Sequence, residues 1–243
     1  MVISSKANPL IKKIASLTEK KYRKLYGLFL VESVKAVDEC LSAGMETEAV
    51  VCTEEFCERY PQAVVVTDEL FARISTEKTP QGVLAAVKLP QKAVTSPESC
   101  CLLLDRLQDP GNIGTIIRTA NAAGYTDVYL VNCADAYSPK AVRASMGGVF
   151  YVNLHECTYS EAFGALKGVP VICADMGGED IFSFRAPEKF CLAIGNEGGG
   201  IGDEVRELAA FTVKIPMRET CESLNAGISA AIAMYVLKNK TGV

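Results

Sequence analysis

Apolar and polar positions along the chain alternate between two periods. Short apolar runs such as "LFLVES", "EAVVCT", "AVVVT" and "GVLAAVKL" read as buried strands. Between them, apolar residues recur every three or four positions, as in "VKAVDECLSAG", where Ser33 offers an N-cap and Gly44 a stop. The pattern predicts a basic helix over roughly 8–24, a short helix at "EEFCERY", and a helix at "ELFARIS" capped by Asp68. "PQKAVTSPES" (90–99) is polar, carries two prolines and breaks the pattern, so it reads as a linker.

The alternation restarts at Cys100. "CCLLL", "DVYLVN", "VFYVNL", "PVICADM", "KFCLAIG" and "FTVKIP" read as strands. Helices are expected over 112–123, at "SPKAVRASM" with Pro139 in its first turn, over 159–167, and from Ser223 to about Lys238. Strands alternating with helices predict a mostly parallel sheet covered by helices. The expected division is therefore 1–89, a linker at 90–99, and 100–243.

Composition narrows the class. An apolar fraction of 49% against 22% charged residues supports a sizeable core and excludes a disordered chain. No apolar run reaches the length of a membrane span, and "MVISSKANPLIKK" lacks the apolar core of a signal peptide, so a cytoplasmic location is the expectation. The ten cysteines include no CxxC pair. With a single histidine, His155, they assemble no metal-ligand set. Reduced thiols in the core are expected, and His155 reads as a surface or edge-strand residue.

Charge is uneven. The net formal charge is −4, yet residues 1–26 carry Lys6, Lys12, Lys13, Lys20, Lys21, Arg23 and Lys24 against Glu19 alone. That segment is +6, which leaves −10 for the rest. A basic helix on an acidic body points to a local polyanion contact, with a solvated helix face as the alternative.

Three predicted strands run into loops rich in Gly, Asn and charge: "LLLDRLQDPGNIGTIIRTANAAG", "LAIGNEGGGIGDEV" and "IPMRETCESLNAG". Ligands of open α/β sheets sit beyond the carboxyl ends of strands. The glycine loop has neither dinucleotide spacing nor a P-loop: Gly195 and Gly200 have the P-loop gap, but Ile201 and Gly202 follow. Its peptide groups can instead approach a ligand directly.

In order and content these loops resemble the three motifs of the SpoU-type 2′-O-ribose RNA methyltransferases of the SPOUT superfamily. "FLVES" and "TPQGVLAAVKLP" resemble that family's accessory substrate-binding domain, which commonly has Gly where this sequence has Ser33. The resemblance implies a parallel-sheet SPOUT domain with a deep trefoil knot, preceded by a small ribosomal-protein-like α/β domain. It implies an S-adenosylmethionine site at Gly195, Ile215 and Leu224, with Leu192, Ile194 and Ala226 as neighbours, and no metal. Its polar site residues fall on Asn112, Arg118, Glu197, Ser223 and Asn225. Ser223 also reads as an N-cap of the last helix.

Arg118 has three readings: a clamp on the phosphate beside the reacting 2′-oxygen, a direct proton acceptor, or a plain helix-surface arginine. A guanidinium is too weak an acid to favour the second. Arg143, in "KAVRASMGG", resembles a segment linked to RNA contact, and Lys12, Lys13, Lys20, Lys21, Arg23 and Lys24 would meet phosphates. The family further implies a homodimer through the last helix. The implied substrate is structured RNA, ribosomal RNA ahead of tRNA. A non-catalytic RNA-binding or assembly factor is the alternative.

Overall fold

The computed structural model describes residues 2–91 and 93–239. Lys92 of the predicted linker and the last four residues lie outside the described set.

The N-terminal part opens with helices α1 (Pro9–Ser16) and α2 (Lys20–Tyr26). Strand β1 (Leu28–Glu32), helix α3 (Val34–Ser42), strands β2 (Thr47–Cys52) and β3 (Val64–Val65), helix α4 (Asp68–Ile74) and strand β4 (Val83–Lys88) follow. The sheet order is β1-β4-β2-β3. Strands β1 and β2 pair antiparallel with β4, and β3 adds parallel to β2.

The second sheet holds β5 (Cys101–Asp105), β6 (Asp127–Val131), β7 (Asn153–Cys157), β8 (Val171–Asp180), β9 (Cys191–Ile194) and β10 (Ala209–Lys214). Its order is β10-β8-β9-β5-β6-β7, with every adjacent pair parallel. Helices α5 (Pro110–Ala123), α6 (Pro139–Ser145), α7 (Tyr159–Ala165), α8 (Asp203–Arg206) and α9 (Ala226–Lys238) connect and cover it. Strands β5 and β9 are buried along their whole length, as central strands covered on both faces must be. One apolar core spans both sheets: Phe29, Val31 and Val83 share a cluster with Leu102, Ile116 and Met234.

Several expectations change. The single basic helix is two. α1 ends at Leu17, which is buried, Thr18 Oγ1 donates to the Ala15 carbonyl, and Glu19 turns extended before α2. Arg23 is 3% exposed rather than free for RNA. It donates to Asp135 through Nε (2.9 Å) and Nη2 (2.6 Å) and to the Leu17 carbonyl (2.6 Å), joining the break in the helix to the second sheet. Thr67, not Asp68, caps α4, its hydroxyl accepting from the Leu70 amide. "EEFCERY" and the start of "VFYVNL" form only short 3₁₀ turns, at Glu54–Phe56 and Gly148–Phe150. His155 does lie on an edge strand, but it is 3% exposed, stacked on Tyr129 and bonded to Asp127 (3.0 Å).

The cysteines are free thiols. Six are buried, and only Cys221 is exposed. Burial pushes Cys40 and Cys133 up to about 12, which keeps both protonated and unreactive. Among the described residues no helix is long and apolar enough to cross a membrane.

Candidate active site

The three polar loops converge at the carboxyl end of β5 and β9. Asp109 caps α5, its carboxylate accepting from the Gly111 amide (2.6 Å) and from Lys140 Nζ (2.8 Å). Pro110 follows at the first helical position, where its missing N–H has no intrahelical role. This cap sets Asn112 in the first turn of α5, facing the glycine loop.

Asn112 links the other two loops. Its Nδ2 donates to Glu197 Oε1 (3.0 Å), and its Oδ1 accepts from Asn225 Nδ2 (2.9 Å). Glu197 also accepts from the amides of Gln108 and Asp109, both at 3.3 Å. Burial alone would raise the Glu197 pKa, but donation from Asn112 and these amides outweighs it and holds the carboxyl below its ordinary value. Glu197 is therefore an anion at neutral pH and tethers the glycine loop to α5.

Asn225, rather than Ser223, is the N-cap of α9. Its Oδ1 accepts from the Ile228 amide (3.2 Å), which turns its Nδ2 toward Asn112. Helix α9 accordingly begins at Ala226, and Ser223 stays in the preceding exposed coil. One asparagine amide thus starts a helix and joins two loops.

A second layer, absent from the sequence reading, holds the glycine loop from below. Asp105 is fully buried at the end of β5 and accepts from Tyr159 Oη (2.7 Å), the Gly202 amide (2.7 Å) and Arg106 Nε (3.2 Å). Burial, then the bond to Asp105, pushes Tyr159 up to about 12, so it remains a donor. Asn196 Oδ1 accepts from the amides of Gly198 and Gly199, both at 2.9 Å, while its Nδ2 donates to the Arg106 carbonyl (2.8 Å). The signal was present in sequence: an acid closing the apolar run "LLLD" and an asparagine inside a glycine run.

The implied cofactor residues divide. Ile215 and Leu224 line a cavity of about 130 Å³ with Ala174, Met217 and Ser223. Leu192, Ile194 and Ala226 are buried and do not line it. Leu192 and Ile194 belong to β9, which β5 and β8 flank, and their side chains enter the core. Gly195 closes β9 where a Cβ would stand 2.2 Å from the Gly200 carbonyl carbon. Only glycine fits there, and the backbone of the loop is left bare. A mainly apolar cleft that also carries Asp175, Lys214 and the Ser223 hydroxyl suits a ligand that is part polar, part aliphatic.

Arg118 is not part of the relay. It follows Asn112 by six residues, which places it about 9 Å further along α5 and roughly 120° around it. It is exposed and has no hydrogen-bond or ion-pair partner among the described residues. Arg143 is exposed as well and donates to Thr76 Oγ1 (2.6 Å) across the seam between the two sheets. Lys13 is engaged by Glu48 (2.5 Å), and Lys20 and Lys24 approach Glu156 at 3.9 and 3.4 Å. Lys12 and Lys21 stand exposed, Lys21 beside the Tyr22 ring.

A parallel α/β sheet whose three terminal loops are tied into one polar site, beside a small sheet packed on its flank, defines a two-part group-transfer enzyme of the SPOUT type. The chain belongs to the SpoU rRNA methylase family, whose model matches residues 99–235; an MRM3-like substrate-binding domain matches residues 8–85. It is a methyltransferase that uses S-adenosylmethionine to 2′-O-methylate RNA. Among its relatives is the 23S rRNA (guanosine(2553)-2′-O)-methyltransferase RlmP of Bacillus subtilis, 32% identical, with 97% of this chain and 98% of that protein covered. The AdoMet-bound rRNA methyltransferase of Sinorhizobium meliloti superposes with a TM-score of 0.89 at 27% identity, covering 98% of this chain and 97% of that one. AviRb of Streptomyces viridochromogenes, a SpoU methyltransferase in complex with AdoMet, gives 0.87 at 25% identity, covering 96% and 97%.

Proposed function

We propose that this protein 2′-O-methylates a ribose of ribosomal RNA in the cytoplasm, through the site built on Asn112. The observation that carries the reading is the relay from Glu197 through Asn112 to Asn225, which fixes the three loops as one unit. Relatives that match nearly the whole chain act on 23S rRNA by name, which favours ribosomal RNA over tRNA.

When bound, S-adenosylmethionine supplies an electrophilic methyl group on a sulfonium. Ile215, Leu224 and Met217 would hold its apolar parts, Ser223 would bond to it, and the Gly195 loop would meet it through backbone. Glu197 keeps a fixed negative charge at the site and holds Asn112 in place. Arg118, charged and unpaired, clamps the phosphate next to the target ribose in bidentate fashion and positions the 2′-oxygen. Because a guanidinium keeps its proton, Arg118 acts as a clamp rather than a base.

Residues 1–89 form the RNA-docking domain, with 90–99 as linker and 100–243 as the catalytic unit. Lys12 and Lys21, with Lys20, Lys24 and Arg143, give phosphate contacts. The catalytic unit carries a deep trefoil knot, a reading supported by the return of α9 to pack on α5, where Asn225 meets Asn112. A homodimer forms through α9, where Ile228 (53% exposed) and Tyr235 (47% exposed) share a face with Ile232.

Ribose-methylation mapping of ribosomal RNA and tRNA from cells with and without the protein tests the proposal. Loss of one ribosomal methyl group, restored by the wild-type protein but not by Arg118→Ala, is expected. Loss confined to tRNA would overturn the ribosomal assignment.

A further inference from the structure

A groove of about 240 Å³ lies between the two sheets, away from the cofactor cleft. Apolar residues Leu30, Val142 and Phe150 line it, and among them stand the charged residues Lys35, Glu39, Glu77, Arg143 and Glu32, the last already bonded by Thr76. Pockets for drug-sized ligands run to about 300–1,000 Å³. This one suits a single planar ring system.

Its backbone is strained. Among the described residues four non-glycine residues have left-handed φ: Ser33, Arg106, Asn132 and Met146. Arg106 and Asn132 follow β5 and β6 directly. Ser33 (φ 98°, ψ 150°) and Met146 (φ 46°, ψ 51°) both line this groove. Such strain persists where the surrounding structure holds it, commonly at binding sites.

Gly147, which lines the groove, is followed by Gly148, which packs on the Arg118 backbone. A Cβ on Gly147 would fall 2.5 Å from the Glu39 carboxylate, and a Cβ on Gly148 would fall 3.2 Å from the Arg118 Cα. Two adjacent glycines therefore separate the groove from the proposed phosphate clamp. Standard chain geometry limits the distance from the Glu39 carboxylate to the Arg118 Cα to at most about 13 Å. A base close to the ribose held at Arg118 can reach it.

The polar groups select the base. The Glu39 carboxylate has no hydrogen-bond or ion-pair partner among the described residues, and Arg143 uses one nitrogen on Thr76, leaving further donors free. A carboxylate needs two neighbouring donors. On its pairing edge guanine offers N1–H and N2–H₂ side by side. Adenine, cytosine and uracil each place an acceptor beside a donor. Arginine in turn favours guanine O6 and N7. We infer that this groove binds an unstacked guanine of the substrate RNA, near the methylated ribose, with Glu39 and Arg143 reading it. The inference rests on RNA being the substrate, as proposed above.

The test uses the full chain with ¹³C-labelled methionine methyls. Met146 lines the groove, whereas Met176 and Met217 line the cofactor cleft. Added GMP at millimolar concentration should shift the Met146 signal, with AMP, CMP and UMP having little effect. Glu39→Gln should weaken the GMP response about tenfold, the scale of one bidentate base contact. S-adenosylmethionine should shift Met176 and Met217 in both proteins, which shows that the variant is folded. If Met146 ignores GMP, responds alike to all four nucleotides, or responds unchanged in Glu39→Gln, the inference is overturned. A GMP response without an S-adenosylmethionine response would instead sink the proposed function and leave the guanine site standing.

Discussion

The loop end of the parallel sheet and the basic N-terminal helices looked equally functional in sequence, one rich in asparagine and glycine, the other in lysine. The structure treats them differently. At the loop end the uncharged amide of Asn112 meets both Asn225 and Glu197, although the three lie far apart in the chain. In the basic segment much of the charge is engaged within the protein: Arg23 with Asp135, Lys13 with Glu48, and Lys20 and Lys24 near Glu156. Charge density in a sequence does not reveal which charges have partners. The asparagines carried more information because each lies in a segment that follows a strand of the parallel sheet, where open sheets gather their ligands.

The largest contrast should come from one arginine in each region. Arg118→Ala should cut single-turnover methylation at saturating RNA on the order of a thousandfold, a loss of about 4 kcal/mol in transition-state stabilisation. Fold and cofactor affinity should stay near wild type. Arg118→Lys should rescue little, because lysine lacks the planar fork. A lysine variant with most of its activity would show that bare charge suffices.

Arg23→Ala should do the reverse. Removing one partner of a buried ion pair costs about 3–5 kcal/mol, so chemical denaturation should show a clear loss of stability, with cofactor binding retained in the folded fraction. Unchanged stability together with weakened RNA binding would return Arg23 to the RNA-facing role its charge suggested.

Arg23 also marks the limit of what could be read from sequence. Its partner Asp135 lies 112 residues away and no local pattern announces it. The parallel sheet, the buried strands and the convergence of the three loops were legible, since strand alternation and turn chemistry are local. The break between α1 and α2 was not. It depends on Leu17 entering the core and on Arg23 taking the Leu17 carbonyl. Likewise Ser223 and Asn225 both fit a cap by residue type, and the bond from the Ile228 amide to Asn225 distinguishes them. Asp105 escaped notice because its donors, Tyr159 and the Gly202 amide, come from other elements.

A smaller effect separates strain from capping at Ser33. Its hydroxyl caps α3 by accepting from the Ala36 amide (3.3 Å), yet its backbone sits in a region that glycine occupies freely. Relief of the strain is worth about 1–3 kcal/mol, and replacing a serine cap by glycine loses only a few tenths. Ser33→Gly should therefore raise stability by about 1 kcal/mol in urea unfolding. A destabilised variant would mean the cap outweighs the strain.

The mildest perturbation is acid. The folded-state pKa of Glu197 is depressed, so its tether is fully present above the ordinary glutamate value of about 4.3 and is lost as pH falls through the lower folded value. Amide exchange in the glycine loop, corrected for its intrinsic pH dependence, should lose protection below about pH 4, before the buried strands β5 and β9 do. Simultaneous loss would mean the loop has no separate tether.

Asn112 is the residue that makes the three loops one unit. A double-mutant cycle of Glu197→Ala and Asn225→Ala, read by single-turnover methylation, tests this directly, because the pair is bridged through Asn112. We predict a coupling energy of about 0.5–3 kcal/mol, abolished when the same cycle is run in an Asn112→Ala background. Additive effects in the wild-type background, or coupling that survives without Asn112, would contradict it.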